Sequence, residues 1–220
     1  MPNAIYALAL PANEPVLTYA PGTPERAELK AAVAKMRQEI LDIPLIIGGK
    51  EVRTGKLAKC VVPYEHKHVL ANCHQAGPAE VQMAIDAAMA AKKQWEATPW
   101  EARLAIFRKA AELLSGPYRQ VLNAATMLGQ SKNAFQAEID SACEIIDFLR
   151  FNTHYATQIY QDQPISGPGV WNQVEYRPLE GFVFAVTPFN FTAIAGNLTS
   201  APAMLGNTVV WKPASSSILS

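Results

Sequence analysis

Apolar positions along the chain recur with several different periods. After Thr23-Pro24, the residues Leu29, Val33, Met36 and Ile40 step at helical spacing toward Pro44. Steps of three and four place such side chains on one helix face. Thr23 can cap the free N–H groups of the first turn, and Pro24 fits there because its missing N–H has no partner to lose. Upstream, residues 1–22 contain four prolines and little periodicity, so they read as an extended N-terminal arm. From 45 to 74 the apolar runs shorten. Leu45–Ile47 and 61–62, broken by Gly48-Gly49 and Gly55, predict hairpin strands on the edge of a domain.

Helical spacing returns at Pro78, with Val81, Ile85, Ala88 and Trp95 along one side. Thr98-Pro99-Trp100-Glu101 has the form of a capping box with proline at the first helical position. That helix should run to Leu114 and stop at Ser115-Gly116-Pro117. Another follows to about Leu128. A long helix over roughly 133–160 carries Ile139, Cys143, Ile146, Leu149, Thr153 and Ala156 at helical spacing.

The pattern changes after Gln161. Pro164-Ile165-Ser166-Gly167-Pro168-Gly169 is a turn-rich break. Residues 170–177 alternate polar and apolar and read as an exposed strand, paired with residues near 163–166. Phe182-Val183-Phe184-Ala185-Val186 is continuously apolar, as a strand buried on both faces would be. Thr192 to Leu205 reads as a helix that Pro202 must bend or end, with Gly206 as its stop. Thr208-Val209-Val210-Trp211 reads as a second buried strand. Strand, helix and strand within ~30 residues make a βαβ unit with parallel strands and a right-handed crossover.

Composition narrows the function classes. Half of the 220 residues are hydrophobic and only 17% are charged, which is enough to build a sizeable core. Lys plus Arg and Asp plus Glu number 19 each, so no basic excess points to nucleic acid or an anionic membrane. No apolar run approaches the ~18 residues of a membrane span. The first 23 residues lack Lys and Arg, hence both a signal peptide's charged start and a presequence's Arg-rich character. Three irregularly spaced cysteines, Cys60, Cys73 and Cys143, argue against a disulfide scaffold. A cytoplasmic protein is the resulting expectation, or one of the mitochondrial matrix if the source is eukaryotic. Cys60, His66, His68, Cys73 and His74 lack the tight ligand pairs of a zinc site, so no metal is expected. Phe148, Phe151 and Tyr155 read as core, and His154 as a helix-face histidine.

In open α/β sheets, ligands bind at the carboxyl ends of the strands. Thr187-Pro188-Phe189-Asn190-Phe191 and Lys212-Pro213-Ala214-Ser215 both fall there. Taken alone, Asn190 reads as a turn asparagine and Lys212 as a solvated lysine. Their surroundings change that. Residues 181–191 resemble the "P-W/F-N-F" segment of the aldehyde dehydrogenase superfamily, and 206–214 its "G-N-x-V-V-x-K-P" segment, with sixteen residues from Phe191 to Asn207. Asn13-Glu14-Pro15-Val16-Leu17, Pro24-Glu25-Arg26, Gln136-Ala137-Glu138-Ile139-Asp140, Ile146-Asp147-Phe148 and Arg150-Phe151-Asn152 resemble the branch that oxidises 1-pyrroline-5-carboxylate, the cyclic form of glutamate γ-semialdehyde. Phe189 in place of Trp fits that branch.

The resemblance implies an α/β fold: an incomplete Rossmann-like cofactor-binding domain with a projecting oligomerisation hairpin and no catalytic domain. Its parts would be an arm (1–22), a first part of the NAD-binding domain (23–162), the hairpin (163–178) and a βαβ unit (179–220). Asn190 would hold a developing oxyanion. Lys212 would contact the adenosine ribose, and Thr187, Pro188 and Phe189 would line the cofactor cleft. Ser215 stands where many members have a ribose-binding Glu. It does not repel a 2′-phosphate, so NADP stays open beside NAD. Phe191 would pack on the substrate's aliphatic stem, and Glu144 would stand beside the substrate entrance, with a solvated helix-face glutamate as its plain alternative. The family's nucleophilic cysteine and general-base glutamate lie in later segments. The chain is therefore expected to be an amino-terminal portion, inactive alone and associating as a homo-oligomer. Alternatives are a non-catalytic nucleotide-binding or oligomerising product, or a dehydrogenase of a different semialdehyde.

Overall fold

A computed structural model describes residues 8–220. The part of the N-terminal arm before Leu8 lies outside the described residues. Helix α1 spans Pro24–Gln38 and is followed by five strands: β1 (Leu41–Ile43), β2 (Leu45–Ile47), β3 (Lys50–Val52), β4 (Leu57–Val62) and β5 (Glu65–His74). Helices α2 (Pro78–Ala97), α3 (Trp100–Ser115), α4 (Arg119–Gln130), α5 (Ala134–Ala137) and α6 (Glu144–Gln161) come next. Strand β6 (Val183–Val186), helix α7 (Thr192–Met204) and strand β7 (Val209–Lys212) complete the order.

Among the described residues the strands form three separate sheets, β1-β5-β4, β2-β3 and β6-β7. The β2–β3 hairpin turns at Gly48 and Gly49, with φ of 57° and 75°. Those angles suit a two-residue turn that L side chains resist. Strands β6 and β7 are parallel, as the strand–helix–strand reading requires.

The main core lies between α3, α6 and α7, around Leu104, Ile145, Ile146, Leu149, Ala193 and Met204. Gly196 permits the close approach of α7 to α6, since a Cβ there would come within 2.6 Å of Ile145 Cδ1. A second cluster joins the arm to α1 and α4 through Tyr19, Leu29 and Ala124. Near the end of the chain, Leu219 packs against both the β4–β5 pair and α4.

Several expectations are corrected here. The helix opened by Pro24 ends at Gln38, and Ile40 is exposed. The Thr23 hydroxyl donates back to the Ala20 carbonyl rather than capping α1. The Thr98 box does not form either: its hydroxyl donates to the Gln94 carbonyl, at the end of α2. Tyr155 is half exposed and not a core residue.

The long helix is interrupted by a π-helical turn, Glu138–Cys143, between α5 and α6. A π turn adds a residue and shifts the helix face. Glu138 is consequently fully buried, whereas Ile139, placed inward by simple periodicity, is partly exposed.

Residues 170–177 do not form a strand. The two arms of 163–178 are joined instead by side chains. The Gln163 carboxamide oxygen accepts from Val174 N–H (2.8 Å), Asn172 Nδ2 donates to Ile165 O (2.9 Å), and the Tyr176 hydroxyl donates to Asp162 O (2.7 Å). A lone two-stranded ribbon is marginal without a packed face, and here Ile165 and Trp171 are 92% and 85% exposed.

Nor is β6 buried on both faces. Ala185 is buried, but Phe184, Val186 and Trp211 face solvent.

Candidate functional site

The candidate site is built at the carboxyl ends of β6 and β7. Val186 and Lys212 are direct partners in the parallel register, so the chain leaves both strands at the same edge. Beyond it, Thr187 N–H donates to the Lys212 carbonyl (3.3 Å), and the Trp211 indole donates to the Thr187 hydroxyl (3.0 Å). Thr187 is buried by this double tie and locks the two strand ends together. Pro188 is half-buried, and Phe189 is 64% exposed. Asn190 and Lys212 are exposed, and Ser215 is exposed in the 3-10 turn Ser215–Ser217. The amide and the ammonium thus stand on one edge of one sheet.

Two concavities among the described residues lie away from that edge. One, about 340 Å³, is lined by Leu8, Trp100, Leu104 and Arg108 among others; the second, about 80 Å³, involves Tyr160, Tyr176 and Leu205. Neither touches Asn190 or Lys212.

Helix α7 fixes the loop from below. Its first residue, Thr192, shares hydrogen bonds of 2.9 Å with Thr126 and with Gln130 of α4. At its far end, the Asn207 backbone and carboxamide N–H groups both donate to Pro202 O, and Leu179 N–H donates to Asn207 Oδ1 (2.9 Å). Asn207 therefore seals the helix end left open near the proline. Gly206, at φ 90°, turns the chain there, and a Cβ on it would meet the Arg103 guanidinium at 3.3 Å. Arg103 is buried and donates to carbonyls at the ends of α2 and α7 and to the Tyr160 hydroxyl.

Phe191 and Glu144 belong to a second group beside this loop. Lys132, between α4 and α5, holds its ammonium 4.1 Å from the centre of the Phe191 ring and pairs with Asp140 at 2.9 Å. Glu144 lies within their field. Burial pushes its carboxyl above the usual range, and Asp140 adds to the shift while Lys132 opposes it. Sequence reading gave site roles to Phe191 and Glu144 but none to Lys132 or Asp140. A lysine between helices reads as solvated, and Asp140, its partner, lies in the π-helical turn.

A larger polar group, to which sequence reading gave no joint role, sits behind the helices. Glu138 accepts from Arg119, from Tyr19 OH (2.7 Å), from Asn123 Nδ2 (2.8 Å) and from Leu17 N–H (2.8 Å). Arg119 also pairs with Glu14, which pairs in turn with Arg150. Burial alone would raise the Glu138 carboxyl, but these donors outweigh it and hold it below the usual range. The network clasps the arm, including Tyr19 at φ 53°. His154 contacts the arm separately, through Leu8 O at 2.8 Å.

All three cysteines are buried. Burial pushes the Cys60 thiol up, Cys73 to about 11 and Cys143 to about 12. Protonated, enclosed thiols are poor nucleophiles, so none of the three can attack an aldehyde. Of the residues weighed as metal ligands, Cys60 and Cys73 lie in the β4–β5 core, while His74 pairs with Asp42 and His68 with Glu65. No helix among the described residues is long and apolar enough to cross a membrane.

Residues 51–220, which include this parallel strand pair, its proline–aromatic–asparagine loop and the lysine that closes the second strand, match the aldehyde dehydrogenase family. The chain belongs to that family. More particular likenesses follow. It is 55% identical over 204 residues to the delta-1-pyrroline-5-carboxylate dehydrogenase of Agaricus bisporus, covering 92% of this chain and 37% of that protein. It is 53% identical over 211 residues to the mitochondrial enzyme of that name from Dictyostelium discoideum, covering 96% and 38%. The crystal structure of the Mycobacterium tuberculosis Delta-pyrroline-5-carboxylate dehydrogenase bound with NAD superposes with a TM-score of 0.96 at 51% identity, covering 98% of this chain and 40% of that one. The chain thus spans less than half the length of these relatives.

Proposed function

We propose that this chain forms the amino-terminal part of the cofactor-binding domain of an enzyme that oxidises L-glutamate γ-semialdehyde to glutamate with reduction of NAD. The observation that carries the reading is the common strand edge of Asn190 and Lys212, fixed by the Val186–Lys212 register. Sites in open α/β sheets lie at that edge. The residues present suit a dinucleotide: an exposed cation, an exposed hydroxyl at Ser215 and a half-buried proline beside an exposed ring. NAD, when bound, accepts the hydride. Lys212 is assigned to the ribose, and Pro188 and Phe189 to the cleft wall. Thr187 supports that wall from within, since its hydroxyl already serves Trp211.

Asn190 is assigned as the donor to the oxyanion that forms when a nucleophile adds to the aldehyde carbon. Asn190 is exposed just before α7, and a carboxamide N–H there can donate to a negative oxygen. The nucleophile is assigned to a part of the enzyme other than these 220 residues, because Cys60, Cys73 and Cys143 are all enclosed. The chain alone is therefore expected to be inactive. The exposed Ile165 and Trp171 of the 163–178 hairpin are assigned to contact with a second subunit.

The test is NADH formation from 1-pyrroline-5-carboxylate by a protein of the relatives' full length that contains this chain. Asn190→Ala should lower kcat by about 100–1000-fold with little change in the KM for NAD. Turnover by the 220-residue chain alone, or an Asn190→Ala enzyme of unchanged kcat, would overturn the assignment.

A further inference from the structure

We propose that Lys132 is a positioning residue for the substrate wall, holding the Phe191 ring in place between the loop after β6 and the π-helical turn. The proposal rests on the reading of Phe191 as packing on the aldehyde's aliphatic stem. Three observations carry it. The Lys132 ammonium stands 4.1 Å from the centre of the Phe191 ring. The same ammonium is anchored by Asp140 at 2.9 Å, so it is a fixed charge and not a wandering surface group. The Lys132 side chain is only 12% exposed, which strengthens attraction between a cation and a ring face.

The geometry explains why the anchor must come from the π-helical turn. Phe191 immediately precedes α7, whose first residue is held by Thr126 and Gln130. Those bonds fix the backbone but leave the ring free to rotate about its side-chain torsions. Lys132 supplies the missing restraint from the ring face. A substrate stem laid against a pre-oriented ring loses less freedom on binding. Removing the ammonium should therefore weaken substrate binding more than it slows the chemical step.

The full-length enzyme containing this chain supplies the test. Lys132→Met keeps the stem and removes the charge; Lys132→Arg keeps both charge and ring contact. The expected result is roughly a tenfold rise in KM for the semialdehyde in Lys132→Met, with kcat and the KM for NAD nearly unchanged, and recovery in Lys132→Arg. A merely structural lysine would lower thermal stability and scale all parameters together. Incorporation of 4-fluorophenylalanine at 191 gives a readout that needs no turnover. Its fluorine resonance should shift in Lys132→Met and return in Lys132→Arg. An unmoved resonance, or an unmoved KM in an active enzyme, overturns the proposal. A wild-type enzyme silent toward every semialdehyde would remove the proposed function instead, and with it the substrate role given to Lys132, whatever the fluorine signal shows.

Discussion

The two polar regions of the molecule are organised in opposite ways. Behind the helices, Glu138, Arg119, Tyr19 and Asn123 are buried, and their charges and hydroxyls answer one another. At the ends of β6 and β7, Asn190, Lys212 and Ser215 are exposed, while Phe184, Val186 and Trp211 present apolar surface to solvent. The first region uses polar groups to fix one arrangement of the arm and three helices. The second keeps its polar groups uncommitted, as a binding edge must. Stability and chemistry are thus assigned to different parts of this chain, and substitutions can separate them.

The largest effect should follow from opening the buried network. Glu138→Ala leaves the Arg119 guanidinium enclosed without its main partner, and such a loss costs about 3–5 kcal/mol. Denaturant unfolding followed by circular dichroism would register it, with the arm released first to proteolysis. A cost below about 1 kcal/mol would mean that water reaches Arg119 and that the clasp is not the rigid region described above.

Acid tests the same network without mutation. The Glu138 carboxyl lies below the ordinary glutamate range in the folded chain. Its folded value is the depressed one, so its contribution is complete above the unfolded value and is lost as pH falls through the range toward the folded value. Thermal melts should therefore drop steeply on the acid side of the usual glutamate range. In Glu138→Gln that part of the slope should disappear, whereas Asn190→Ala should leave it unchanged.

Between the two regions lies the contact of α7 on α6. Gly196→Ala would set a Cβ 2.6 Å from Ile145 Cδ1, and overpacking of this kind costs about 1–3 kcal/mol. Because α7 carries the loop with Asn190 and Phe191, the substitution should also raise the KM for the aldehyde in the full-length enzyme. Loss of stability with unaltered kinetics would show that the loop is held by Thr192 and its partners alone.

How much of this was legible in the sequence depends on whether the cause is local. Helix starts at Pro24 and Pro78, the stop at Gly206 and the parallel β6–α7–β7 unit depend on nearby residues, and reading finds them. The common edge of Asn190 and Lys212 follows from that unit. The capping roles of Thr23 and Thr98 were misread because each hydroxyl found a preceding carbonyl. The alternation in 170–177 suggested a strand, but period two describes a side-chain pattern and cannot supply a partner. The roles of Glu138, Arg119 and Lys132 were not legible because each depends on partners distant in sequence, such as Tyr19, Glu14 and Phe191.

The smallest effect is expected on the open face of β6. Phe184 is 61% exposed, whereas its neighbour Ala185 points to the other side and is buried. Phe184→Ser removes an aromatic ring that makes little contact within this chain. Surface changes of that kind stay within about 0.5 kcal/mol, so the denaturant midpoint of the 220-residue chain should hardly move. Binding of a dye that seeks apolar patches should fall, since the exposed Phe184 and Val186 lie on one face of the kind that parallel strands ordinarily keep covered. The same substitution in a protein of the relatives' length separates two accounts of that face. If further structure packs on β6 there, the cost should rise to the 3–5 kcal/mol range of a truncated core aromatic, and the dye should find nothing to lose. A cost above about 2 kcal/mol in the short chain would show that Phe184 is already packed, and the contrast between a closed helical side and an open strand edge would then fail at β6.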